Sequence, residues 1–176
     1  LTRLAKRDDV IALTLPVDYW DYLGWRDTLA RPEFSTRQKA YAKALGDGMV
    51  YTPQAVVSGL AQINGSSEDK VDQAIERTAK LFADSRVPIK LSAAEGRLVI
   101  DVASAPDGVP AKEATVWLAT IASSVKVPIL RGENQGRTIV YLTLCAVSNH
   151  IRRPTRAEWI AHRDFTPIEP LPDDAL

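Results

Sequence analysis

Cysteine is almost missing from this sequence: Cys145 is the only one in 176 residues. A single cysteine excludes an internal disulfide and any multi-cysteine zinc site. It also excludes dithiol–disulfide exchange within the chain as given, since that reaction needs two thiols. It does not assign a compartment, because a missing disulfide fits the cytosol and the periplasm alike. Histidine is nearly as scarce, with only His150 and His162 present, which leaves no basis for a metal centre of clustered imidazoles. Excess charge is missing too. Lys and Arg number 22, Asp and Glu number 22, and the formal net charge is zero. No global field therefore draws nucleic acid or an anionic membrane to the chain. No apolar run approaches the roughly 20 residues of a membrane-spanning helix. A phosphate loop, a dinucleotide fingerprint and a Gly-x-Ser-x-Gly elbow are all absent, so no cofactor is expected.

What is present has ordinary globular composition, 45% apolar and 25% charged, which argues against disorder. Val10-Ile11-Ala12-Leu13-Thr14-Leu15 is a short apolar run ended by Pro16, and it predicts a strand buried on both faces in a parallel sheet. Ser35 and Gln38 have capping-box spacing before a helix whose apolar face is Ala40, Tyr41, Ala44 and Leu45, with Gly46 at its end. Residues 49–59 predict a strand with Pro53 near its start. Ser58-Gly59 turns it into a second strand at 60–63. Val71, Ala74, Ile75, Thr78 and Phe82 form one stripe of a second helix, with Glu68 and Asp69 near its start and Lys80 near its end. Beyond Pro88 the apolar period becomes two, at Ile89 and Leu91 and again at Leu98, Ile100 and Val102, around a turn at Glu95-Gly96. A loop at 105–110 follows, then strands at 115–121 and 138–147 and a polar turn at 131–137. An extended, proline-bearing tail starts at Phe165. The chain thus divides into an α/β unit, 1–86, and a β-rich unit, 87–176, linked near 84–88.

Several residue groups are candidates for chemistry. Tyr19, Trp20, Tyr22 and Trp25 crowd into seven positions and can offer a peptide-binding surface. The competing reading packs two or three of them over a sheet edge, as large aromatics are mostly buried. Asp18, Asp21 and Asp27 include candidates for a carboxylate that accepts a proton from a buried cysteine, with Asp18 best placed. Loop capping explains the same residues more simply. Thr52-Pro53 opens a strand either as an ordinary trans proline or as a cis bond. Cys145 lies in an apolar strand with no cation nearby to activate it, and reads as an inert core residue. The stretch from His150 to Arg163 is basic but interleaved with Glu158, which favours a solvated face. No metal site is expected.

Four motifs follow in order: Val17-Asp18-Tyr19-Trp20-Asp21-Tyr22-Leu23-Gly24-Trp25, Arg37-Gln38-Lys39-Ala40-Tyr41-Ala42, Val50-Tyr51-Thr52-Pro53-Gln54 and Arg131-Gly132-Glu133-Asn134-Gln135-Gly136-Arg137. Together they resemble a bacterial family, the domain of unknown function 1223, over roughly residues 8–141. One departure is Pro16, where the family tends to carry histidine. The resemblance implies a thioredoxin-like sheet with flanking helices and an antiparallel β-rich C-terminal extension. The first strand and the cysteine-bearing helix of that fold are not in this chain. It also implies a cis bond at Pro53, with Tyr51, Thr52 and Pro53 positioning substrate and Asp18, Tyr19, Trp20 and Trp25 lining the site. The implied activity is thiol–disulfide exchange on a protein or peptide, with a Cys-x-x-Cys expected upstream of Leu1, in a secreted or periplasmic protein. The alternative is a non-catalytic module that holds a peptide or protein.

Overall fold

The computed structural model describes residues 1–46, 48–94, 97–107, 115–152 and 159–164. Helix α1, Pro32–Leu45, starts with proline at its first position, where the missing N–H is one the helix cannot use anyway. Its last turn closes through the Gly46 N–H on the Ala42 carbonyl at 3.2 Å, with Gly46 in the left-handed region at φ 93°. The helix therefore begins before Ser35, and the capping-box expectation for Ser35 and Gln38 is corrected. The apolar face is corrected as well. Phe34, Ser35 and Ala42 are buried, whereas Ala40 and Ala44 are exposed. A polar serine sits on the buried face because it has a hydrogen-bond partner there, which periodicity cannot register.

Strands β1, Gln54–Val57, and β2, Ala61–Asn64, pair antiparallel from Gln54↔Asn64 to Val57↔Ala61. Ser58 and Gly59 both have positive φ, 51° and 71°, and the Leu60 N–H reaches the Val57 carbonyl at 3.0 Å. Positive φ at both central residues is what a type I′ hairpin turn requires. At the open end the Gly65 N–H donates to the Pro53 carbonyl at 3.0 Å, and the Thr52-Pro53 bond is cis. Helix α2, Glu68–Leu81, follows. Val71, Ala74 and Thr78 are buried along the expected stripe. Arg3 and Arg7 reach Asp72 at 2.7 and 3.3 Å and tie the start of the chain to this helix.

The expected strand at 10–15 is not present as such. The segment makes one parallel bridge, Thr14↔Leu144, and Ile11 is 86% exposed. An apolar run becomes a strand only where its backbone groups find ladder partners, and among the described residues that happens at Thr14 alone. There the Thr14 N–H donates to the Thr143 carbonyl at 2.9 Å and the Cys145 N–H donates to the Thr14 carbonyl at 3.0 Å.

Strands β3, Ile89–Ala94, and β4, Arg97–Val102, pair antiparallel. Strands β5, Thr115–Pro128, and β6, Thr138–Arg152, form a second sheet and run further than their apolar cores at 115–121 and 138–147. Strand β7, Trp159–Asp164, adds to β4, giving the order β3-β4-β7. Two compact units result. One is Leu1–Ala74 with Trp117–Ile151, and the other combines Ile75–Val116 with Arg152–Leu176. The long β5–β6 pair thus groups with the α/β part, whereas the sequence division at 86 sets it with β3 and β4. The turn at Glu95-Gly96, residues 108–110 of the expected loop, and the tail from Phe165 lie outside the described residues.

Thr143 has φ 50° inside β6. A β-branched residue in the left-handed region is an outlier, held here by the bridge to Thr14. That conformation costs an L-residue about 1–2 kcal/mol and glycine almost nothing. Thr143→Gly is expected to keep or raise the urea midpoint, although it deletes a β-branched strand residue. A clear fall in the midpoint would show that the side chain matters more than the backbone.

Candidate functional site

Ser35 and Gln38 lie three positions apart on α1 and therefore share one face. That face seats the loop at 17–25. The Ser35 hydroxyl donates to Asp18 Oδ1 and accepts the Asp18 N–H at 3.2 Å. The Tyr19 hydroxyl donates to Gln38 Oε1 at 2.9 Å, and Gln38 Nε2 donates to the Tyr51 carbonyl at 2.8 Å. The Trp20 indole N–H donates to Thr52 Oγ1 at 3.0 Å. Two consecutive loop residues are thus tied, directly or through Gln38, to the two residues before Pro53.

The loop can hold this shape because it is locally closed. The Asp21 N–H reaches the Asp18 carbonyl at 3.1 Å and the Leu23 N–H reaches the Trp20 carbonyl at 3.0 Å. Gly24, at φ 98°, then reverses the chain. The ring centroids of Tyr19 and Trp20 are 5.5 Å apart with the planes tilted by 52°, and those of Trp20 and Tyr22 are 6.4 Å apart and nearly stacked. Trp20 is 45% exposed and Tyr22 76%, while Tyr19 and Trp25 are half-buried. Large aromatic area therefore lies at the surface beside Thr52 and Pro53, both also exposed.

The structure brings together Asp18, Tyr19, Trp20, Tyr51, Thr52 and Pro53. Trp25 stands outside the stacked group, its backbone N close to Gly132. Asp18 is engaged with Ser35 and the loop backbone, which is the capping role. Asp27 is buried. It accepts the Tyr141 hydroxyl at Oδ2 and the Leu29 N–H at Oδ1, 2.9 Å. Burial first, and then the Asp27 carboxylate, push the Tyr141 phenol well above its ordinary value. Asp27 therefore braces the loop against β6. Cys145 is 3% exposed, and burial pushes its thiol up, away from the reactive thiolate.

Gln38 is the residue that sequence reasoning missed. Its spacing from Ser35 read as a helix cap, although it falls within the second of the four ordered motifs. Among the described residues, no cluster of three or more His, Cys, Asp or Glu can hold a metal ion, and no helix is long and apolar enough to cross a membrane. The group presents exposed aromatic ring faces beside the Thr52 hydroxyl.

The model of the family described as a protein of unknown function, DUF1223, matches residues 1–160, and the chain belongs to that family. It is also similar to the crystal structure of a structural-genomics target protein from Agrobacterium tumefaciens, at 25% identity and a TM-score of 0.75, covering 92% of this chain and 68% of that one. No curated protein matches.

Proposed function

We propose that this DUF1223 chain is the substrate-holding part of a thioredoxin-like protein, and that the intact protein catalyses thiol–disulfide exchange on extended peptides. One observation carries the reading: Trp20, ring exposed, is hydrogen-bonded to Thr52 at the entrance to β1. A flat aromatic surface beside the exposed start of a short strand suits an extended peptide, whose apolar side chain packs on the ring. The order α1, β1, β2, α2, with β1 and β2 as an antiparallel hairpin, supports the comparison with the later part of a thioredoxin fold. The cysteine pair that exchange requires would come from outside this chain, since Cys145 is its single cysteine and is buried. Fold alone does not assign an activity, so the reading rests on the site.

Intact protein is expected to reduce or oxidise a disulfide-bearing peptide. Trp20→Ala is expected to weaken use of that peptide roughly tenfold or more, about 1.4 kcal/mol in binding. Because Trp20 is exposed, its thermal midpoint should change little. Absence of turnover by verified intact protein would remove the redox part. The second reading, a non-catalytic peptide-holding module, is served by the same exposed Trp20 ring beside Thr52. It predicts peptide binding that depends on Trp20 and survives mutation of every cysteine. The redox reading also assigns the intact protein to the periplasm or the exterior, and recovery only in the cytosol on cell fractionation would overturn that assignment.

A further inference from the structure

We infer that Gln38 is a positioning residue, through which the aromatic loop and the Tyr51-Thr52-Pro53 segment act as one binding surface. The inference rests on the peptide-holding reading above and adds which residue makes that surface cooperative. The Gln38 side chain is bonded both to the loop and to that segment: Oε1 accepts from Tyr19 and Nε2 donates to the Tyr51 carbonyl. The amide cannot serve in the reverse orientation. A carbonyl oxygen only accepts, so the Tyr51 carbonyl demands the NH2 end and leaves Oε1 for the tyrosine hydroxyl. One planar group therefore makes both bonds, and only one orientation of it serves both partners.

The consequence reaches the exposed residues one position on. Tyr19 carries Trp20, whose ring packs against it at 5.5 Å. Tyr51 carries Thr52, which receives the Trp20 indole N–H. The Trp20–Thr52 bond lies at the surface, where a lone hydrogen bond competes with water and adds little net stability. The half-buried Gln38 bridge beneath it holds the two sides at the right separation. A peptide that packs on Trp20 and runs past Thr52 then meets a pre-arranged surface and loses less freedom on binding.

Gln38→Glu tests this with nearly no change of shape. A carboxylate still accepts from Tyr19 but has no donor for the Tyr51 carbonyl and repels it. Tyr19→Phe breaks the other half. The probe is a short peptide with one disulfide flanked by phenylalanine and leucine, titrated against intact 15N-labelled protein. The Trp20 indole resonance is assigned by its loss in Trp20→Phe. In Gln38→Glu that resonance is expected to shift although Gln38 bonds neither Trp20 nor Thr52. The other indole resonances should stay in place, which shows that the variant is folded. Affinity should fall roughly tenfold in each single variant, and the double variant should be no worse than the weaker single. A purely stabilising role lowers the thermal midpoint and leaves the indole where it was. An unmoved Trp20 indole, unchanged affinity, or effects that multiply in the double variant would overturn the inference. If the unaltered protein does not bind the peptide, the functional reading fails. The Trp20 indole resonance then decides the coupling by itself: a shift keeps it and no shift ends it.

Discussion

Replacing Gly132 with alanine is expected to cost about 2–4 kcal/mol of stability, combining a left-handed backbone with an overpacked contact. Gly132 has φ 81°, and a Cβ there would lie 3.2 Å from the Gly24 carbonyl carbon, 3.2 Å from the Leu23 carbonyl oxygen and 3.3 Å from the Trp25 nitrogen. All three are backbone atoms, so no side chain can swing aside. They belong to the end of the aromatic loop, which is itself anchored on α1 through Asp18 and Tyr19. Gly136 in the same turn supplies the control. Its φ is 84°, yet a Cβ there would meet nothing within 4 Å. Gly136→Ala should therefore carry only the backbone cost, about 1–2 kcal/mol. Urea unfolding of both variants gives the difference, and the excess in Gly132→Ala measures the close approach between the two loops. Equal losses in the two variants would show that the approach is slack.

Tyr141→Phe is expected to cost about 1.5–3 kcal/mol near neutral pH, the range for a hydrogen bond to a charged group in a partly dry setting. The hydroxyl is the partner of Asp27 Oδ2 among the described residues, and Asp27 is 8% exposed. Deleting it leaves half of a buried carboxylate without its donor. The deficit should also depend on pH. Burial and Asp27 raise the folded-state value of the Tyr141 phenol above its ordinary 10.0. The folded protein thus keeps this proton where the unfolded chain releases it. The stabilisation is fully present below pH 10 and declines as pH rises through the folded-state value. Phenylalanine has no proton to lose, so the gap between variant and parent should narrow above about pH 10. Stability curves collected at about pH 8 and about pH 11 check this, and a constant gap would contradict it.

Helix α2 was legible because its evidence is local: a 3.6-residue apolar stripe, acids at the start and a lysine at the end. The β1–β2 hairpin was legible for the same reason, since Ser58-Gly59 accepts the positive φ values that the turn needs. Helix α1 was only half legible. Its existence showed, but its buried face did not, because Ser35 is buried through its bond to Asp18. The strand at 10–15 was misread because, among the described residues, its apolar run has no ladder partner beyond Thr14. In the site, the aromatic cluster and Thr52-Pro53 stood out by composition and motif order. Gln38 did not, because its two partners are 19 and 13 positions away.

The amino-acid sequence by itself determined which chemistry this chain cannot perform and which segments have one apolar face. Both follow from residue counts and from the repeat distances of helix and strand. The tertiary structure alone decided which residues meet: Gly132 with Gly24, Thr143 with Thr14, and Tyr141 with Asp27, 114 positions apart. Periodicity says which side of an element is buried but carries no information about its partner. Partners are selected by the packing and hydrogen bonding of the folded chain as a whole. The exposed face of Trp20 is a product of that selection, since it depends on Ser35, Gln38 and Thr52 meeting the loop at once.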